Sequence, residues 1–106
     1  MVEEITVEEL ATLQNEKVDF ILLDVRDPEE YAERHMGGRL IPLRELPHRI
    51  NELNKDQLII AHCGGGGRSR RAVEFLMQNG FSNVKNLKGG MKAWEAFKGM
   101  GKETLC

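Results

Sequence analysis

Two short, uninterrupted apolar runs constrain the fold of this chain more than any other feature. They are Phe20-Ile21-Leu22-Leu23 and Leu58-Ile59-Ile60-Ala61. A half-buried strand alternates apolar and polar residues, whereas an unbroken run is typical of a strand covered on both faces, as in parallel sheets. Weaker apolar segments at Ile5, Leu40-Ile41 and Val84–Leu87 predict further strands.

Helical patterns separate the predicted strands. Thr6 and Glu9 have the spacing of a capping box that starts a helix ending near Asn15. Pro28 follows Asp27 at the start of a second helix that ends near Arg34. Further helices are predicted over about 46–53, from Ser69 to a C-terminal glycine at Gly80, and from Gly90 to about 98. This alternation predicts an α/β fold with a mostly parallel central sheet and helices on both faces.

Length and composition indicate one domain over residues 1–106, with residues 99–106 as a tail. The net charge of −2 argues against a general nucleic-acid binder, and no apolar run approaches the roughly 20 residues of a membrane span. The N-terminal segment is acidic and lacks the apolar core of a signal peptide. Only two cysteines are present, which fits a reducing compartment better than a disulfide framework. We therefore expect a soluble, cytoplasmic protein that binds neither nucleic acid nor membranes.

The chemistry is concentrated in residues 62–69, His-Cys-Gly-Gly-Gly-Gly-Arg-Ser, which directly follow a buried strand and precede a helix. Backbone amides of a glycine-rich turn, a helix N-terminus and a nearby arginine all stabilise a thiolate and bind anions. We take Cys63 as the candidate nucleophile. The candidate anion-binding loop consists of Gly64, Gly65, Gly66, Gly67, Arg68 and Ser69. The alternative is a flexible turn whose cysteine is a small core residue.

This octapeptide resembles the active-site loop of rhodanese-like domains, and other segments fit the same family. The similar segments, which together cover about residues 5–98, are Leu23-Asp24-Val25-Arg26 with Glu30-Tyr31 and His35, Gly38 with Ile41-Pro42-Leu43, and Leu87-Lys88-Gly89-Gly90-Met91 with Ala93-Trp94. Several spaced motifs in the same order are more specific than the loop alone.

The resemblance implies sulfur transfer in two displacements. Cys63 would take the sulfane sulfur of a donor such as thiosulfate, release sulfite and hold a persulfide. Cyanide or a thiol, which a sulfur-carrier protein can provide, would then remove the outer sulfur. Arg68 would shape the loop and add positive charge to it. The resemblance implies no metal or organic cofactor.

Two alternatives stay open. One is a sulfur-relay or protein-docking module with little free turnover. The other is a cysteine phosphatase or arsenate reductase. Cysteine phosphatases place five residues between the cysteine and the arginine, whereas four separate Cys63 from Arg68 here. The shorter loop favours a sulfur atom over a phosphate.

The remaining polar residues have structural interpretations. Asp24 and Arg26 are expected to form hydrogen bonds near the sheet end, together with Glu30. His35 is expected to make a structural hydrogen bond, and His62 to lie on the sheet face opposite Cys63. His48 is predicted to be solvated, Trp94 to pack in the core and Cys106 to be a free terminal thiol. The histidines and cysteines lack the spacing of a zinc site.

Overall fold

Five parallel strands form one sheet in the part of the chain that the computed structural model describes, residues 2–105 with side chains to Gly99. The strands are β1 Glu4–Ile5, β2 Phe20–Asp24, β3 Arg39–Leu40, β4 Leu58–His62 and β5 Val84–Leu87. Their spatial order is β1-β5-β4-β2-β3, and every neighbouring pair is parallel. The two apolar runs are β2 and β4, which pair with each other near the centre of the sheet.

The described part of the chain has five α-helices, of which four lie between strands and the fifth follows β5. They are α1 Val7–Asn15, α2 Pro28–Glu33, α3 Leu46–Arg49, α4 Gly67–Gln78 and α5 Gly90–Leu105. The last helix continues beyond Gly99, where the sequence pattern ends. No helix in the described part of the chain combines the length and the apolar character needed to cross a bilayer.

Alternate residues of β4 supply two hydrophobic clusters, one on each face of the sheet. Ile59 and Ala61 pack with Leu46 of α3 and with Ala72, Val73 and Leu76 of α4. Ile60 packs on the opposite face with Val7 and Leu10 of α1, and Trp94 and Phe97 of α5 lie against that cluster. The predicted α/β architecture with helices on both faces is therefore confirmed.

Local signals fix the ends of two helices. The Thr6 hydroxyl accepts from the Glu9 amide at 3.1 Å and the Glu9 carboxylate accepts from the Thr6 amide at 2.8 Å, so the predicted capping box is present. At the end of α4, Gly80 adopts φ +90° and the Phe81 amide donates to the Leu76 carbonyl at 3.0 Å. This hydrogen bond gives a partner to the Leu76 carbonyl in the last turn of the helix.

Besides the longer α5, three other boundaries differ from the sequence prediction. The helix predicted over about 46–53 is limited to α3, with 3₁₀ turns at Leu43–Glu45 and Ile50–Glu52 on either side. Pro47 lies in its first turn, where a helix tolerates proline, and the backbone leaves helical geometry at Arg49, where φ is −121°. Helix α4 begins at Gly67, two residues before Ser69, and β3 lies one residue earlier than predicted.

The topology determines where a site lies. In parallel sheets, ligands bind at the carboxyl ends of the strands, at the point where the connections leave in opposite directions. The chain passes from β2 outward to β3 and then back to β4, which lies between β2 and β5. The loop after β4 therefore lies at the carboxyl edge near the centre of the sheet.

Replacing the capping threonine tests the first helix. We expect Thr6→Ala to lower the free energy of unfolding by about 1 kcal/mol, because the Glu9 amide loses its acceptor. Thr12→Ala is the matched control, since the Thr12 hydroxyl only donates to the Glu8 carbonyl within the same helix. Urea unfolding of both variants measures the difference, and equal losses would contradict the capping role.

Candidate active site

Cys63 immediately follows β4 and lies on the α4 face of the sheet, with only 1% of its surface exposed. Its sulfur accepts hydrogen bonds from the Gly66 amide at 3.1 Å and the Ser69 amide at 3.4 Å. The first amides of a helix have no carbonyl partner within it, and α4 begins at Gly67. The start of the helix therefore supplies donors that point toward the sulfur.

The surroundings of Cys63 shift its pKa downward. Burial raises the pKa of the thiol, and the groups that can donate to the sulfur lower it by more: the Ser69 hydroxyl, when its proton points to the sulfur, and the amides of Ser69, Gly66 and Gly65. Hydrogen bonding to the charged form favours that form. The site therefore increases the fraction of Cys63 present as the thiolate, which is the nucleophilic form of cysteine.

Only one of the four loop positions has a backbone conformation that requires glycine. Gly66 adopts φ +110°, which side chains disfavour, and it is buried. A Cβ at Gly65 or at Gly67 would meet no atom within 4 Å, and one at Gly64 would only touch the Arg68 guanidinium at 3.4 Å. The other three glycines are therefore not required by backbone conformation or by a close contact.

The N-terminus of α5 holds the backbone of Cys63. The Met91 amide donates to the Cys63 carbonyl at 2.8 Å, and the Lys92 amide donates to the Gly64 carbonyl at 3.1 Å. Gly90 adopts φ +56°, and a Cβ there would overlap the Cys63 carbonyl oxygen. The Gly89-Gly90 turn before α5 therefore permits a second helix to contact the loop.

Arg68 closes the loop through a carboxylate. Its guanidinium donates to both oxygens of Glu30 on α2, at 2.7 and 3.0 Å. These hydrogen bonds, together with one from the Asp27 amide, hold the pKa of Glu30 down at about 2. The sequence predicted that Arg68 adds positive charge to the loop. In the structure that charge is paired with Glu30, so its clearest role is to fasten the loop to α2.

The other predicted polar residues form a structural layer beside the site. Asp24 and Arg26 make a buried ion pair at 2.7 Å, and Arg26 also donates to the Arg34 carbonyl. The expected hydrogen bonds of Asp24 and Arg26 are therefore present, whereas Glu30 bonds to Arg68 instead. His35 accepts from the Gly37 amide at 2.9 Å, as a structural histidine was expected to do.

His62 lies on the face opposite Cys63, as predicted, and is fully buried. Neither ring nitrogen has a hydrogen-bond partner among the described residues, and Nε2 is 3.8 Å from Asp24. Burial lowers the pKa of His62, and the Asp24 carboxylate offsets only part of that effect. The imidazole is therefore neutral at pH 7.

Sequence reasoning missed Asn86 and Glu4, which are connected to the Cys63 sulfur through Ser69. Ser69 contacts Asn86 of β5 through its hydroxyl, and the Asn86 amide group donates to Glu4 of β1 at 2.9 Å. Arg70 donates to the same Glu4 oxygen at 3.1 Å. The four residues are brought together by the sheet order, and no local pattern indicates that they meet.

The remaining candidates lie away from the sulfur. His48 is exposed, as predicted, and Trp94 is half-buried against Phe97. Cys106 lies outside the described residues. Within residues 2–99, no three His, Cys, Asp or Glu side chains are grouped as metal ligands.

Comparisons with known proteins cover most of the chain. The sequence model for the rhodanese-like domain matches residues 6–97. The chain belongs to the rhodanese-like domain family. A sulfurtransferase of Allochromatium vinosum is 38% identical over 95 residues, which are 89% of each protein. The thiosulfate sulfurtransferase GlpE of Pseudoalteromonas translucida is 35% identical over 82 residues, 76% of this chain and 78% of that protein.

Solved structures agree with this rhodanese-like assignment. A rhodanese-like domain protein from Staphylococcus aureus superposes with a TM-score of 0.83 at 36% identity, over 88% of this chain and 91% of that one. The resemblance drawn from the sequence is therefore confirmed, and so is the α/β fold. Relatives named as sulfurtransferases place this rhodanese-like chain in a sulfurtransferase family.

Alanine substitutions distinguish the loop glycine whose backbone conformation disfavours a side chain from one whose surroundings leave room for it. We expect Gly66→Ala to lower the free energy of unfolding by about 1 kcal/mol or more and to slow alkylation of Cys63, because φ +110° strains an alanine. Gly67→Ala, at the start of α4, is expected to be neutral or slightly stabilising. Urea unfolding and iodoacetamide labelling measure both effects. Similar destabilisation by the two variants would contradict this difference.

The Arg68–Glu30 pair predicts a pH-dependent contribution to stability. A glutamate pKa lowered from 4.5 to about 2 stabilises the fold above about pH 4.5 and loses that effect as the pH falls toward 2. The two side chains are 39% and 38% exposed, so we expect Glu30→Gln to cost only about 0.5 kcal/mol at pH 7.

Urea unfolding of both proteins between pH 7 and 2 measures this difference, which should vanish at the acid end. Glu74→Gln, on the exposed side of α4, is the control and should show no such trend. A Glu30→Gln deficit that stayed constant with pH would show that the carboxylate charge is not involved.

Proposed function

We propose that this rhodanese-like domain is a sulfurtransferase in which Cys63 carries the sulfur as a persulfide. The observation that supports this most directly is the sulfur of Cys63, which faces the Gly66 and Ser69 amides at the start of α4. Donors in that position stabilise an anionic sulfur without any metal or cofactor. The proposed site comprises Cys63 as nucleophile and Gly64 to Ser69 as the anion-binding loop.

The first proposed displacement loads the enzyme. The Cys63 thiolate attacks the outer sulfur of thiosulfate, a new S–S bond forms, and the original S–S bond breaks. Sulfite leaves with the electron pair of the broken bond. Cys63 then carries one additional sulfur as a persulfide.

The second displacement returns the enzyme to its starting state. A nucleophile, either cyanide or a thiolate, attacks the outer sulfur, and the Cys63 sulfur departs as a thiolate. The same amides stabilise this leaving thiolate, which lowers the barrier to transfer. Two half-reactions with a covalent intermediate predict ping-pong kinetics.

The open loop determines what can approach. Because Cys63 is almost fully buried, a substrate reaches it only by inserting a terminal sulfur between the loop amides. The bare positions Gly64, Gly65 and Gly67 leave room for the rest of the substrate outside. A small donor such as thiosulfate fits this description, and so does the thiol of a sulfur-carrier protein as acceptor. A thiolate that must stay reduced between turnovers fits the cytoplasm.

Persulfide formation on Cys63 is the test. After incubation with thiosulfate, mass spectrometry should find one additional sulfur atom on the peptide that contains Cys63, and cyanide should remove it with formation of thiocyanate. Cys63→Ser should abolish both the adduct and the turnover, whereas Cys106→Ser should retain them.

The other outcomes separate the alternatives. A stable adduct with no transfer to cyanide, but with transfer to a protein thiol, would favour a relay module. Phosphate-ester hydrolysis that requires Cys63, without any sulfur adduct, would favour a phosphatase. Absence of the adduct with every sulfane donor would overturn the proposal.

A further inference from the structure

The hydroxyl of Ser69 has one proton and three acceptors within reach. Its oxygen lies 3.4 Å from the Cys63 sulfur and 3.2 Å from the Gly66 carbonyl, and it makes its closest contact with Oδ1 of Asn86. A serine hydroxyl donates only one hydrogen bond at a time. Ser69 and Asn86 are both fully buried, so neither is in contact with bulk solvent.

Glu4 fixes which atom of Asn86 faces Ser69. A carboxylate only accepts, so the amide nitrogen Nδ2 must point toward Glu4, at 2.9 Å. Oδ1 is then turned toward Ser69 and acts there as an acceptor only. Arg70 donates to the same oxygen of Glu4 at 3.1 Å, and this second bond keeps the carboxylate in place.

We propose that Asn86, oriented by Glu4, is a positioning residue that draws the hydroxyl proton of Ser69 away from the Cys63 sulfur. The lone pairs of the Ser69 oxygen then face the sulfur and accept the S–H of the thiol. When Cys63 ionises, the loop amides stabilise the anion, while the hydroxyl can turn to the sulfur only by leaving Oδ1 of Asn86 buried without a donor.

This arrangement has a consequence for reactivity. A thiolate that receives fewer hydrogen bonds is more basic, and a more basic thiolate is a stronger nucleophile. Asn86 therefore limits how far the site lowers the pKa of Cys63 and keeps the sulfur reactive toward a sulfane donor. This role in sulfur transfer rests on the proposed function, whereas the thiol measurements below do not.

Substitutions at exposed Glu4 provide the test without disturbing the core. In Glu4→Ala the Asn86 amide is free to turn its Nδ2 toward Ser69, which releases the hydroxyl proton to the sulfur. Glu4→Gln is the matched control. It removes the same charge but keeps an oxygen where Asn86 and Arg70 both donate. The neighbouring charges of Arg70, Lys88 and Arg68 are the same in both variants.

The readout is the pH dependence of iodoacetamide alkylation, measured without any sulfur donor in the Cys106→Ser protein, where Cys63 is the only thiol. We expect the pKa of Cys63 in Glu4→Ala to lie about one unit below that in Glu4→Gln. In a Ser69→Ala background the two variants should be equal. Asn86→Ala should lower the pKa of Cys63 in the same way, again only when Ser69 is present.

Three results would overturn the proposal. The first is the same pKa of Cys63 in Glu4→Ala and Glu4→Gln. The second is a difference that persists without the Ser69 hydroxyl, which would make it an electrostatic effect of Glu4. The third is an increase of about one unit on Ser69→Ala in the otherwise unchanged protein, because the hydroxyl would then already donate to the sulfur.

Discussion

Two helix N-termini meet at Cys63, and the rest of the site depends on the hydrogen bonds they donate. Helix α4 directs the Gly66 and Ser69 amides to the sulfur, and α5 directs the Met91 amide to the carbonyl of the same residue. Both helices start at the carboxyl edge of the parallel sheet, where helix dipoles present their positive ends. The sulfur is therefore stabilised as an anion by backbone groups whose positions the fold itself determines.

Much of this arrangement follows from local sequence signals, and the rest does not. The runs in β2 and β4, the Thr6–Glu9 capping box and the glycine after α4 depend on neighbours within a few residues, so the sequence alone predicted them. The contact of Ser69 with Asn86, and of Asn86 with Glu4, joins residues separated by 17 and 82 positions. Such contacts are decided by strand order, which hydrophobic periodicity does not encode. The break in the helix at Arg49 was missed because an apolar stripe records the spacing of side chains and not the backbone conformation of a single residue.

The carboxyl edge of the sheet also carries buried polar groups that need partners. Asp24 and Arg26 satisfy each other, and Arg26 extends to the carbonyl at the end of α2. Removing one member of such a pair leaves an uncompensated buried charge, so the pair fixes the position of the chain between β2 and α2. Glu30 on α2 then reaches Arg68 in the loop. The loop is thus connected to β2 through a series of polar contacts, in addition to the backbone hydrogen bonds from α5.

Two of the four loop glycines do not contribute to the stability of the fold. Gly66 needs its left-handed conformation, but Gly65 and Gly67 have neither positive φ nor a neighbour that a methyl group would meet. Alanine at such positions ordinarily stabilises a protein, because it restricts the unfolded chain. Keeping glycine there leaves the loop amides uncovered while the sulfur stays buried. A buried sulfur beneath an exposed glycine loop suits a substrate that presents one atom and keeps its bulk outside, which is the geometry expected for the proposed sulfur transfer.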